Sequence, residues 1–255
     1  MREIRQRRGA PRHGFVREMR LLDGGADEDL GYAAGVPAVA ALRDGLQLDP
    51  RVTFLVGENG SGKSTLVEAL AVACNLNPEG GGRNLRHATR ESHSRLGDHL
   101  RLVRGTRTPK TDFFLRAESL YTVATMLEEM PGPEALAAYG GTSLHELSHG
   151  ESFLAVVLHR FGPDGFYVLD EPEAALSPQN VLTLMRRIHQ LADQGSQFVI
   201  ATHSPILLAL PDAPIHLCSS EGLTEVAYED APPVALTRRM LTDPAGVLDA
   251  LFKPD

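Results

Sequence analysis

The stretch that most constrains this chain is Val52-Thr53-Phe54-Leu55-Val56-Gly57-Glu58-Asn59-Gly60-Ser61-Gly62-Lys63-Ser64-Thr65. A β-branched, apolar run enters a glycine-rich loop, and a helix-forming run, Leu66 to Ala73, leaves it; the helix is expected over Lys63 to Leu76, ended by Asn77-Pro78. The loop satisfies G-x-x-x-x-G-K-[ST] at every position, in the strand–loop–helix setting that the pattern requires. Gly57, Gly60 and Gly62 let the backbone take conformations closed to other residues. Its N–H groups, from Gly57 through Glu58, Asn59, Gly60, Ser61 and Gly62, then converge on phosphate oxygens at the positive end of the following helix. The pattern assigns Lys63 to the β and γ phosphates and the Ser64 hydroxyl to Mg²⁺. Thr65 adds a further donor to phosphate.

Bulk properties bound the rest. At 255 residues the chain suits one large or two small domains, with enough length for a substantial core. A formal net charge of -8 excludes a generic polyanion binder. Cys74 and Cys218 are the only cysteines; two without a framework suggest a reducing compartment. No apolar run reaches the roughly 20 residues of a membrane span. The basic N-terminus lacks the apolar core of a signal peptide. The expectation is a cytoplasmic protein with no integral membrane segment of its own.

Residues 1–14 carry Arg2, Arg5, Arg7, Arg8 and Arg12 without apolar periodicity. They read as a partly disordered tail or as an arm that contacts nucleic acid or nucleotide. Residues 15–255 are expected to form one domain, with an insert over residues 77–145. Phe15 to Leu22 reads as an edge strand, and Glu79 to Gly82 as a flexible joint. Residues 83–110 hold eight basic residues and only Glu91 and Asp98 as acids. That local excess suits either a solvated face or a nucleic-acid or protein surface. His87, His93 and His99 recur every six residues, a spacing that fits no usual zinc motif. Leu100–Arg104 and Asp112–Arg116 flank a turn and read as a β-hairpin. Tyr32 reads as packing or as an adenine-stacking ring.

Leu147-Ser148-His149-Gly150-Glu151-Ser152 opens an apolar helix, and such a start presents free N–H groups and a hydroxyl to an anion. Phe166-Tyr167-Val168-Leu169-Asp170-Glu171 is a buried strand ending in two carboxylates. Ligands of open α/β sheets bind at such ends. Asp170 can hold Mg²⁺ beside Ser64, and Glu171 can polarise an attacking water. A further strand, Gln197 to Thr202, ends at His203, within reach of a γ-phosphate.

Taken in order, these parts resemble the ABC-class ATPases, over most of residues 52–205. Gly57 to Thr65 resembles the Walker A loop, Leu147 to Ser152 the signature motif, and Val168 to Glu171 the Walker B strand with its catalytic glutamate. Ala175-Leu176-Ser177 resembles the D-loop and His203 the switch histidine. The resemblance implies an α/β fold: a P-loop core of ABC type with an antiparallel β subdomain and a helical and hairpin insert. It implies ATP and Mg²⁺ as ligands. It also implies a homodimer in which the Walker motifs of one copy face Ser148 and Gly150 of the other.

The chain departs from the transporter pattern. The signature ends Gly-Glu-Ser, without the usual glutamine, and no aspartate follows Leu176 in the D-loop-like turn. Arg116-Ala117-Glu118-Ser119 stands where a lid glutamine is expected, so Arg116 or Glu118 would take that role. The expectation is therefore an ATPase that acts on a nucleic-acid or protein partner. The alternatives are the ATP-binding subunit of a membrane transporter and a slow nucleotide-dependent switch.

Overall fold

The computed structural model describes residues 14–22, 30–82, 95–128 and 143–253, without the side chains of 126–128. Residues 1–13 of the expected tail, and the basic residues and histidines within 83–94, lie outside them.

Nine strands form two sheets among the described residues. The strands are β1 (Val16–Leu21), β2 (Leu46–Gln47), β3 (Val52–Val56), β4 (Leu100–Arg104) and β5 (Thr111–Arg116). They continue with β6 (Gly165–Asp170), β7 (Gln197–Ala201), β8 (Ile215–Ser219) and β9 (Gly222–Val226). The larger sheet runs β5-β6-β7-β3-β8-β9, and the smaller β2-β1-β4. In the larger sheet every pairing is parallel except β8 with β9. The smaller sheet is antiparallel throughout.

Fully buried runs in β3, β6 and β7 match a sheet covered on both faces. Period-two alternation divides their side chains between two cores. Phe54, Phe113, Tyr167 and Phe198 face one layer. That layer holds residues of α4 (His149–Arg160) and α5 (Pro178–Asp193). Leu55, Phe114, Val168 and Val199 face the other, with α2 (Lys63–Ala73) and the small sheet. Helix α1 (Pro37–Ala40), with proline at its start, sits beside α2. Helix α3 (Leu120–Glu128) precedes the signature segment; α6 (Pro205–Leu208), α7 (Pro232–Thr242) and α8 (Pro244–Leu251) close the chain.

Four local expectations are corrected. β1 lies in the middle of its sheet, paired with β2 on one side and β4 on the other, and is not an edge strand. The expected hairpin does not form: β4 joins the small sheet, whereas β5 pairs in parallel with β6. The reason is burial. Phe113, Phe114 and Leu115 are all at 0% exposure, so β5 needs apolar cover on both faces, which an exposed hairpin cannot supply. Glu79 to Gly82 is not a free joint, because Gly81 and Phe114 exchange backbone hydrogen bonds of 2.7 and 3.0 Å. The helix after the phosphate loop ends at Ala73, before Asn75 at a positive φ of 61°.

One buried amide joins the two sheets. Gln197, at the start of β7, accepts from Val16 N–H at 3.0 Å and donates to the carbonyls of Val16 at 2.7 Å and Asp49 at 2.9 Å. Nothing in the local sequence marks this residue as a bracket.

Candidate functional site

The parallel strands β6, β7 and β3 are neighbours, so their C-terminal ends bring Asp170, His203 and the phosphate loop to one edge of the sheet. The loop is narrow there. A side chain at Gly57 would meet the Cys218 carbonyl at 2.4 Å. One at Gly62 would meet Val36 Cγ1 at 2.4 Å, and Gly62 also has a φ of +98°, which favours glycine. Glu58, Asn59 and Gly60 are exposed at the tip, and Thr65 is half-buried in the first turn of α2.

Lys63 is 3% exposed, and its ammonium donates to the carbonyls of Gly57 and Glu58, both at 3.0 Å. Burial holds its pKa below the ordinary lysine value, partly opposed by Glu171 and other nearby anions. The Ser64 hydroxyl donates to Asp170 Oδ1 at 3.0 Å. Burial pushes the Asp170 carboxyl up to about 6, against the opposing pull of Arg116 and the Ser64 hydrogen bond.

Glu171 follows in a left-handed conformation, φ 46° and ψ 51°, held by its N–H on the Ala201 carbonyl at 2.9 Å. A non-glycine residue in this region stores strain, and such strain collects at working sites. The turn puts Glu171 Oε1 3.4 Å from His203 Nε2, although that nitrogen makes no hydrogen bond. The His203 backbone N–H donates to Glu173 Oε1 at 2.5 Å. Glu173 was not among the expected site residues; its place two residues after Glu171 was the available signal.

Arg116 ends β5, in register with Asp170. Its Nη1 is 3.0 Å from Glu68 Oε2 and its Nε 3.4 Å from Asp170 Oδ2. Glu118 is exposed, and its charge reaches Asp170 only as a weak upward push on its pKa. Glu68 also escaped the sequence reading. It lies one helical turn after Ser64, on the same side of α2.

The signature segment is a separate surface patch. Ser148 is exposed and caps α4 in a capping box: its hydroxyl donates to Glu151 Oε2 at 2.6 Å, and its N–H donates to the same oxygen at 2.9 Å. Its carbonyl accepts from the Ser152 N–H at 2.9 Å and the Ser152 hydroxyl at 3.0 Å, and none of these partners lies on the phosphate loop of its own chain. Gly150 packs on the turn after β6, where an added side chain would meet the Ala175 carbonyl at 2.9 Å. A cleft of about 330 Å³ between Leu208–Pro214 and Glu225–Tyr228 lies at the start of β8, the opposite end from the loop.

These residues fit a nucleotide triphosphate with a divalent cation. The Ser61 hydroxyl is buried without a partner inside the loop, the Lys63 ammonium is confined beside it, and a hydroxyl–carboxylate pair stands ready for a hard cation. Among the described residues there is no His, Cys, Asp and Glu cluster of another metal type.

A family model described as "AAA domain" matches residues 43–113, and one described as "AAA domain, putative AbiEii toxin, Type IV TA system" matches residues 138–209. The ABC transporter ATP-binding/permease protein Rv1747 of Mycobacterium tuberculosis is 30% identical over 221 residues, covering 77% of this chain and 25% of that protein. The chain belongs to the ABC/AAA superfamily of ATPases. ATP hydrolysis is the reaction class of this superfamily, and membership implies ATP and Mg²⁺ as its ligands. The macrolide export ATP-binding/permease protein MacB of Chlorobium luteolum is 28% identical, over 86% of this ABC/AAA chain and 36% of that protein. The ABC/AAA chain thus spans about a quarter to a third of the curated relatives it matches. Among solved structures, cbiO1 of Clostridium perfringens, part of an ABC transporter complex, aligns with a TM-score of 0.44 at 18% identity, over 78% of this chain and 87% of that one.

Proposed function

We propose that this chain binds Mg-ATP and hydrolyses it between two copies of itself, and that closure of the pair drives a partner. The observation that carries the reading is the Ser64–Asp170 contact beside the buried Lys63, with Glu171 and His203 at the neighbouring strand ends. The backbone N–H groups of Gly57 to Thr65 and the Lys63 ammonium hold the phosphates. Ser64 and Asp170 hold Mg²⁺, which when bound neutralises phosphate charge. Glu171 accepts a proton from the attacking water, and His203 donates toward the terminal phosphate. The second copy supplies the α4 N-terminus, with Ser148 and Gly150. The exposure of Ser148 supports that division of labour.

The curated relatives turn the weighing of partners around. Rv1747 and MacB are named as ATP-binding/permease proteins, the second for export, which favours a transporter's ATP-binding part over a nucleic-acid motor. The departures from the transporter motifs carry less weight than these names. The basic stretch also supports nucleic acid less than its composition suggests. Arg104 donates to the Ala73 carbonyl at the end of α2, and Arg107 and Lys110 pair with Asp164. No helix among the described residues is long and apolar enough to cross a membrane, so a permease would be another segment or chain.

The test is Glu171→Gln with saturating Mg-ATP, followed by size-exclusion chromatography. Loss of the proton acceptor should trap a dimer. A species that stays monomeric would count against the sandwich.

A further inference from the structure

Arg116 stands where a lid glutamine is expected, beside the Asp170 carboxylate, and its chemistry is the reverse of a metal ligand's. A guanidinium has five donors and no acceptor, and it stays charged at all working pH values. It cannot enter a cation's coordination shell. Here it is also tethered. Its Nη1 binds Glu68 at 3.0 Å, its Nε approaches Asp170 Oδ2 at 3.4 Å, and its Cζ lies 5.9 Å from the Phe114 ring centroid. Successive contacts link the four side chains in the order Ser64, Asp170, Arg116, Glu68. Ser64 takes one oxygen of Asp170 and Arg116 faces the other. The side chains of Asp170 and Glu68 are only 6% and 14% exposed, and that of Arg116 is 23% exposed, so water screens these charges incompletely.

We infer that Arg116 is a positioning residue for Asp170 that sets how strongly nucleotide binding depends on a divalent cation, with Glu68 as its anchor. The inference rests on the reading of Ser64 and Asp170 as the metal pair. The guanidinium faces Oδ2, so that Oδ1, beside the Ser64 hydroxyl, is the carboxylate oxygen left to a cation. Its fixed positive charge also acts on both ligands. It attracts a metal-free triphosphate and opposes an incoming divalent cation. Both effects reduce the advantage that Mg²⁺ brings to nucleotide binding. Glu68 partly cancels that charge, so it acts in the opposite sense.

The readout is the ratio of nucleotide dissociation constants in EDTA and in Mg²⁺ at pH 8, measured with a fluorescent ATP analogue rather than by turnover. Arg116→Gln should raise the ratio about five- to tenfold, Glu68→Gln should lower it, and Arg116→Lys should stay near the parent. A purely structural role would move Arg116→Gln and Glu68→Gln in the same direction, and that result would overturn the inference. So would an unchanged ratio in Arg116→Gln, or an equal rise in Arg116→Lys. Should Arg116→Gln fail to fold, Arg116→Met removes the same charge, and a ratio that does not rise in it would equally overturn the inference. If the parent binds the analogue in neither condition, the phosphate-loop reading beneath the inference fails with it.

Discussion

The Ser64 hydroxyl donates to Asp170 Oδ1 at 3.0 Å, although 106 residues of chain separate the two. Ser64 stands in the first turn of α2 and Asp170 ends β6, and β6 is two strands away from β3. The contact turns two motifs into one site, with the buried Lys63 beside it.

Replacing Lys63 with alanine should cripple nucleotide binding. A charge-assisted hydrogen bond contributes about 1.5–3 kcal/mol, so the dissociation constant for ATP should rise roughly ten- to a hundredfold. Calorimetric titration measures it. Unchanged affinity would remove Lys63 from the phosphate site.

The Asp170 carboxyl, pushed up to about 6, gives the site a pH dependence. A protonated carboxyl holds Mg²⁺ poorly, so the gain in nucleotide affinity from Mg²⁺ should shrink as pH falls from 8 to 5. The stability effect has the opposite sense. The folded pKa is raised above the ordinary 3.8, so this group's contribution is fully present below about 3.8 and lost as pH rises through about 6. That loss is at most about 3 kcal/mol. Mg²⁺ with nucleotide should therefore raise the melting temperature more at pH 8 than at pH 5, and Asp170→Asn should flatten the difference. An equal rise at both pH values would show that Asp170 does not meet the metal.

The helix cap that Ser148 makes and its proposed contact with a second copy can be tested separately. Ser148→Ala removes the cap on α4 and should cost about 1 kcal/mol in denaturant unfolding. Ser148→Arg should leave ATP binding by the single chain intact while blocking turnover, because it fills the face offered to a second copy. Normal steady-state hydrolysis by the arginine variant would show that this helix start takes no part in the reaction.

Gln197→Ala should destabilise the fold without touching the nucleotide site. It leaves Val16 N–H and the carbonyls of Val16 and Asp49 without their side-chain partner. Unsatisfied buried groups cost about 1–3 kcal/mol each, partly relieved by water, so a loss of about 2–4 kcal/mol is expected. A loss under about 1 kcal/mol would mean that the small sheet is held by its apolar contacts alone.

The comparison of reading and structure turns on particular residues. The phosphate-loop strand, the two-carboxylate strand and the capped helix were legible because their signals are local: a run of apolar residues, glycines at fixed offsets, a serine before a helix. The partners of β4 and β5 were not. Leu100–Arg104 and Asp112–Arg116 are close in sequence, and closeness suggested a hairpin, but the unbroken Phe113-Phe114-Leu115 run already favoured a strand buried on both faces. Arg116 was marked as an oddity by position, whereas its anchor Glu68 and its hold on Asp170 could not be read from spacing.

By itself, then, the chain's order of residues determined the phosphate cradle and the class of ligand, because a glycine-rich turn and the helix after it need only neighbours a few positions away. Tertiary structure alone decided which carboxylate meets Ser64, which sheet each middle strand joins, and that a cation rather than an amide faces Asp170. Those outcomes depend on burial shared between distant segments. A side chain's partners there are chosen by the packing of two cores against one sheet, and no stretch of sequence carries that packing alone.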